Sequence, residues 1–346
     1  MKKINSLIRY FALLFIIFLL LQLGASAVNA ESEYVLKIAH SSAIDVYKAH
    51  QHAIAMTFKQ LVESRSGDRI EVRVFGAGAV GGEREYVEAI MTGTMEAGLA
   101  SGVVGSFFPS AMITDIPYLF PDVQVAYRVL DGPFGDKLSQ LLLEQTGLKN
   151  MGFSEIGYRN FTNSVRPIHT PEDMKGLKIR VQESPLFLTM VEALGANPTP
   201  IAWTETYTAL QSGIVDGQEN PVGTIIFANF AEVQDYLTLD GHVYGVNWFL
   251  INNDFFERLP SDLQKIVQDA ALIANLVGRG VSQLNAAMGI NTLKEAGMEV
   301  YALSPDEKDL FKKATQGPVI EWLKTKINID LINEALEAVD KVVEEN

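Results

Sequence analysis

Residues Ile70–Glu85 read IEVRVFGAGAVGGERE. Within them Gly76, Gly78 and Gly81 spell G-x-G-x-x-G, a spacing that lets a strand turn tightly into a helix and lay a pyrophosphate against the helix N-terminus. Ile70, Val72 and Val74 alternate with Glu71 and Arg73 as in a strand, and Glu83 to Thr92 continue as a helix. A dinucleotide site also needs an acidic residue at the end of the following strand to hold the ribose hydroxyls. The end of TMEAGLASG offers Ala100, Ser101 and Gly102 instead, and Glu96 comes at that strand's start. Glu83, at the head of the helix, would also repel a phosphate. The stretch therefore reads as strand, glycine loop and helix serving something other than a nucleotide, and no cofactor is expected.

Outward from this stretch, the N-terminus sets the compartment. Lys2, Lys3 and Arg9 precede the apolar run FALLFIIFLLLQL, and small residues follow through Ala30, the pattern of a secretory signal cleaved after Ala30. The twenty residues Phe11 to Ala30 are long enough for an uncleaved anchor, but GASAVNA is too small and polar to favour one. With no cysteine in the chain, disulfides, thiolate metal sites and a lipid-modified cysteine are excluded. A freely soluble protein in the periplasm of a Gram-negative bacterium is expected. Loss of the signal takes the net charge from −14 to −17, which argues against nucleic acid as a partner. The length suggests two domains.

Strand-like runs (YVLKIAH, RIEVRVF, LKNMGFS, LKIRV, VNWFLIN) alternate with segments of helical period, which predicts an α/β fold of mostly parallel sheets covered by helices. Thr170 before Pro171, Ser304 with Glu307 and Ser261 with Gln264 mark helix starts. The helix opened at Ser261 runs to about Ala296 without a proline, long enough to cross between domains. No repeat or Pro/Ser-rich linker separates the halves, so the domains are expected to be joined more than once.

Chemistry for catalysis is sparse. His50 and His52 point to different faces of a helix, half-exposed, and do not share a metal. GLASG (Gly98–Gly102) has its serine one place late for a nucleophile elbow, and Asp115, Asp131 and Asp216 beside Pro or Gly are explained by turns. No catalytic or metal-binding residue is expected. Two arginines stand out on apolar strand sequence, Arg159 in IGYRNFTN and Arg180 in LKIRV. A guanidinium there calls for an anion, and its planar fork suits a carboxylate; a solvated strand end or an internal ion pair is the competing explanation.

From GYRNFTNSVRPIHTPEDMKGLKIRV through LGANPTPIAWTETYTALQSGIVDGQENP the chain closely resembles the solute-binding subunits of TRAP (tripartite ATP-independent periplasmic) transporters, with further matches in VFGAGAVGGERE, DIPYLF and AYRVLDGPFG. The resemblance covers nearly all of the mature chain, its C-terminal third more by helix pattern than by motif. It implies a fold like the type II periplasmic binding proteins: two lobes with mixed or mostly parallel sheets, hinge strands and a long bracing helix. Lobe I would hold residues 31–156 plus about 245–286, and lobe II residues 157–244 plus about 287–346. It further implies capture of a small organic acid between the lobes and delivery to small and large membrane subunits, by a monomer that is not an enzyme. Carried over residue by residue, Arg180 in the K-[IL]-R-V strand clamps the carboxylate, Arg159 is the second arginine, Asn220 in DGQENP is the amide donor, and Glu83 is the acid before the first-lobe helix. Trp203 either covers an apolar face of the solute or staples a helix capped by Thr204. Ser101 and His40 complete the expected ligand-binding set. Ser101 and Val104 stand where sialic-acid-binding members carry an acid and an arginine, which favours a smaller solute: a dicarboxylate, a hydroxy or keto acid, or a uronic acid. An extracytoplasmic sensor subunit, and less readily a periplasmic enzyme acting on organic acids, are the alternatives.

Overall fold

The computed structural model describes residues 32–345; the signal segment expected at residues 1–30 lies outside them. Among the described residues the strands are β1 (Tyr34–Ala39), β2 (Ile70–Phe75), β3 (Ala97–Ala100), β4 (Leu148–Asn163), β5 (Lys178–Val181), β6 (Asn197–Pro200), β7 (Gly217–Pro221), β8 (Tyr236–Asn252) and β9 (Glu299–Ala302). They form one sheet in the order β2-β1-β3-β8-β4-β7-β5-β6, with β9 beside β8. Its two ends are parallel, β1 with β2 and β3, and β5 with β6 and β7. The middle is antiparallel, β3 on β8, β8 on β4 and β4 on β7.

The sheet is therefore mixed, within what the resemblance implies, with its antiparallel pairings gathered at the centre. LKNMGFS and VNWFLIN are ends of strands 16 and 17 residues long. Two glycines are absorbed inside β4: Gly152 and Gly157 take φ of 113° and 117°, and the β4–β8 register shifts beside each, the signature of bulges that bend a strand without ending it.

At the β1–β3 end, Leu36, Ile38, Val72 and Leu99 pack against Ile54, Phe58 and Val62 of the helix His50–Ser66, and Phe58 meets Phe249 edge to face at 4.9 Å. At the β5–β7 end, Phe161, Ile179, Val181, Phe187 and Met190 join a core that also holds Phe311. Each such fully buried side chain contributes about 1.5–3 kcal/mol.

The helix Ser261–Glu295 is 35 residues, about 52 Å at 1.5 Å per residue. It is fixed at close range in two places: a Cβ on Gly278 would stand 2.5 Å from Ile54 Cγ1, and one on Gly289 2.5 Å from Val222 Cγ1. Between them Arg279 grips Asp131 with two hydrogen bonds of 2.6 and 2.7 Å, so Asp131 is more than a turn residue. Ser304 and Glu307 form the expected capping box. Ser261 with Gln264 does not: Pro260 is the N-cap, and the Gln264 amide donates to the carbonyls of Phe256 and Leu259. Thr170 heads a 3-10 turn, Pro171–Met174, rather than an α-helix.

Candidate functional site

The carboxyl ends of β1, β3, β5, β6 and β7 meet over β4, where an open α/β sheet places its ligands. One wall carries Ser41 and Ser42 after β1, His50 and Gln51 from the head of the first helix, Glu83 from the helix Glu83–Met91, and Ser101 after β3. The other carries Arg180 of β5, Gln182, Trp203 after β6, Asn220 of β7 and Phe227, with Arg159 and Ile156 of β4 as the floor. The walls leave room for about three to five waters. Arg180, Arg159, Asn220, Trp203, Glu83 and Ser101 all line it.

His40 does not. It lies beneath the glycine loop, where a Cβ on Gly76 would stand 2.8 Å from its ring, and its Nε2 bonds His52 Nδ1 at 3.0 Å. β1 ends at Ala39, and the chain beyond it turns His40 inward while Ser41 and Ser42 line the cleft. His50 and His52, expected half-exposed, are both buried. His50 lines the cavity without a hydrogen-bond partner, and burial lowers it to about 4, so it is a neutral imidazole at ordinary pH.

The two arginines differ in state. Arg159 Nη2 donates to Glu219 Oε1 at 2.7 Å and to the Glu219 carbonyl at 2.8 Å, while its Nε pairs with Oε2. Glu219 Oε2 also meets His242 Nε2 at 3.2 Å, and His242 Nδ1 meets Asp240 at 2.7 Å. Burial pushes His242 down, but Asp240 and Glu219 outweigh it and raise it to about 9; burial pushes Glu219 up, and Arg159 and His242 hold it below the usual carboxylate range. Nearby Asp115, read from sequence as a turn residue, is buried and raised by that burial to about 7.

Arg180 spends only Nε, on the Ile201 carbonyl at 2.9 Å. Its guanidinium is 2% exposed, and Nη1 and Nη2 have no hydrogen-bond partner among the described residues. Burial lowers it to about 10, offset in part by Glu219, so it stays charged. Its Cζ lies 5.9 Å from the Trp203 ring, which packs on Phe227 and Phe230. Thr204 sits inside the 3-10 turn Trp203–Glu205 and caps nothing; the next helix, Thr206–Gln211, has no side-chain cap.

Glu83 is buried and answered by its own wall, accepting from Ser101 N at 2.8 Å, Ser101 Oγ at 2.6 Å and Ser41 Oγ at 3.0 Å. Gln51 is likewise committed, to Ser42, Leu99 and Asn247. The walls touch where Ser101 Oγ reaches Gln182 Oε1 at 2.8 Å, where Ser106 Oγ reaches the Glu183 carbonyl at 2.7 Å, and at the glycine loop. There Gly78 has φ 69°, and a Cβ on it would stand 2.6 Å from Thr204 Cγ2 across the cleft. The loop that resembles a nucleotide turn is a seam between the walls.

His50, Gln182, Glu219 and His242 were not expected in the site from sequence. For Glu219 a signal existed: it lies in the same DGQEN run as Asn220, one strand from Arg159, but the β4–β7 pairing that joins them is not written locally.

A cleft at the switch between strand ends, with a buried guanidinium whose terminal nitrogens have no partner among the described residues, has the chemistry to hold a small anion. The chain matches over residues 45–325 the model of bacterial extracellular solute-binding protein, family 7, and belongs to that family, the TRAP-type solute-binding proteins. It is 41% identical over 253 residues to a solute-binding protein of Verminephrobacter eiseniae, covering 73% of this chain and 75% of the relative. It is 32% identical to the 2,3-diketo-L-gulonate-binding periplasmic protein YiaO of Escherichia coli, covering 84% and 88%. The crystal structure of the sugar acid binding protein DctPAm of Advenella mimigardefordensis, in complex with galactonate, superposes with a TM-score of 0.84 at 33% identity, covering 89% of this chain and 98% of that one.

Proposed function

We propose that the chain captures a hydroxylated monocarboxylic acid in the periplasm, without transforming it, and passes it to TRAP membrane subunits. The solute carboxylate would take one N–H from each of the two terminal nitrogens of the Arg180 fork, with Asn220 beside it and Trp203 over the carbon chain. Hydroxyls would face Ser41, Ser42, the neutral His50 and the Glu83 carboxylate. The two ends of the sheet act as lobes, residues 31–156 with about 245–286 and residues 157–244 with about 287–346, closing by bending at β4 and β8.

The observation that carries the reading is Arg180: a buried guanidinium whose two terminal nitrogens lack partners. An unpaired buried charge is costly, and a carboxylate of matching geometry relieves the cost on binding. Charge count favours one carboxylate over two. Arg159 is neutralised by Glu219, so a second solute carboxylate would meet Glu83 and the rim acid Glu183 instead of a cation. The ligands named for two relatives, 2,3-diketo-L-gulonate and galactonate, each bear a single carboxylate.

Calorimetric titration with galactonate and 2,3-diketo-L-gulonate, against the six-carbon dicarboxylate galactarate, tests the reading. A monocarboxylate should bind at least tenfold more tightly than galactarate, and Arg180→Met should weaken it more than a hundredfold, about 3–5 kcal/mol. Undiminished binding by the folded Arg180→Met variant would remove Arg180 from the site.

A further inference from the structure

The long helix Ser261–Glu295 turns an apolar ridge to solvent. Leu272, Leu276, Leu284 and Met288 are 62%, 55%, 56% and 63% exposed, with Val277 beside them at 38%. They recur every four residues, symmetrically about Gly280, which occupies the fifth place at the centre. From Ala270 to Leu293 the single charged residue is Arg279, and it points to the other face, gripping Asp131. In a chain of net charge −14, such a charge-free strip is where two copies can approach without like-charge repulsion.

Gly280 sharpens the point. Gly278 and Gly289 are required by close packing inside the molecule, whereas a Cβ on Gly280 would meet nothing within 4 Å. A mid-helix glycine costs about 1 kcal/mol relative to alanine, and no contact within the chain accounts for that cost here. A glycine at the crossing point of two helices lets the backbones approach, and ridges of i±4 spacing pack into one another's grooves at a crossing near −50°.

We propose that this ridge is a self-association surface on which a second copy of the chain packs about a two-fold axis through Gly280. Leu276 and Leu284 of each copy flank the crossing, with Leu272 and Met288 outside them, so the same patch serves both partners as an isologous dimer requires. The monomer expected from sequence gives way to a concentration-dependent dimer. A lipid surface suits the ridge less well: membrane-lying helices carry Lys and Arg around their apolar face, and this strip has neither free. No helix among the described residues is long and apolar enough to cross a membrane.

Sedimentation velocity of the mature chain between about 1 and 100 μM should show mass rising towards twice the monomer, the range of a weak interface smaller than about 800 Å² per partner. Leu276→Glu combined with Leu284→Glu should weaken association more than a hundredfold. Gly280→Leu should do the same with a melting temperature equal to or above the parent's, because its side chain enters open space in the isolated chain and the helix loses a glycine. The chain has no cysteine, so Gly280→Cys should oxidise to a disulfide-linked dimer while the control Gln268→Cys stays monomeric. A monomer at every concentration, a dimer that survives both charge substitutions, or ridge-dependent binding to phosphatidylcholine–phosphatidylglycerol vesicles by a monomeric chain would each overturn the proposal.

Discussion

The two walls of the cleft solve the burial of charge in opposite ways. On the β5–β7 side four ionised groups, Arg159, Glu219, His242 and Asp240, answer one another in a closed chain of contacts, and a fifth, Arg180, is left with two unbonded nitrogens. On the β1–β3 side the one buried carboxylate, Glu83, is satisfied by hydroxyls and a backbone N–H. The difference separates what holds the fold from what holds the solute. A closed ion network tolerates no missing member, because removing one leaves its partner charged and desolvated. An open cation is a cost in the empty protein that only a ligand removes. Two arginines on strands separated only by β7, both buried, thus belong to different functions.

The sharpest way to break this contrast is Arg159→Met. It strands Glu219 and should lower stability by about 3–5 kcal/mol, read as a shift in urea midpoint, whereas Arg180→Met should leave the midpoint unchanged or slightly raised. Equal effects would dissolve the distinction. Next in size is pH. His242 is raised from its unfolded value of 6.5 to about 9, so the folded state binds its proton more tightly. The resulting stability, on the order of 3 kcal/mol, is fully present below pH 6.5 and is lost as pH rises through about 9. Melting temperatures should fall across that window in the parent and stay flatter in His242→Gln; parallel curves would show that the network does not titrate there. The smallest effect is on the other wall: Glu83→Gln removes the charge facing the solute and should narrow the preference for galactonate over galactarate by about 1–2 kcal/mol, roughly five- to thirtyfold. An unchanged ratio of the two affinities would place the discrimination elsewhere.

Much of this was legible in the sequence where the signal is local. The strands around Ile38, Val72 and Ile179, the capping box of Ser304 and Glu307, and the uninterrupted helix from Ser261 all rest on short-range periodicity and turn chemistry. The motif around Arg180, Trp203 and Asn220 placed most of the cleft. What stayed hidden is non-local. The run LKNMGFS gave only the start of β4, because nothing local shows that bulges at Gly152 and Gly157 let the strand continue to Asn163. Arg159 could be placed in the cleft but not assigned its partner, since Glu219 reaches it only through antiparallel pairing of β7 on β4. His50 and His52 read as half-exposed because helical geometry separates their faces without saying that the cleft and His40 cover both.

The seam at Gly78 and Thr204 has a kinetic consequence. The closed walls meet backbone to methyl there, and side chain to side chain at Ser101 and Gln182, so a trapped solute has no lateral exit at these points and leaves by the parting of the walls. On the proposed reading its residence time is set by how often the walls part, and each solute slows that parting by the contacts it makes to both of them. A solute that reaches only one wall can be captured but has nothing with which to hold the seam shut.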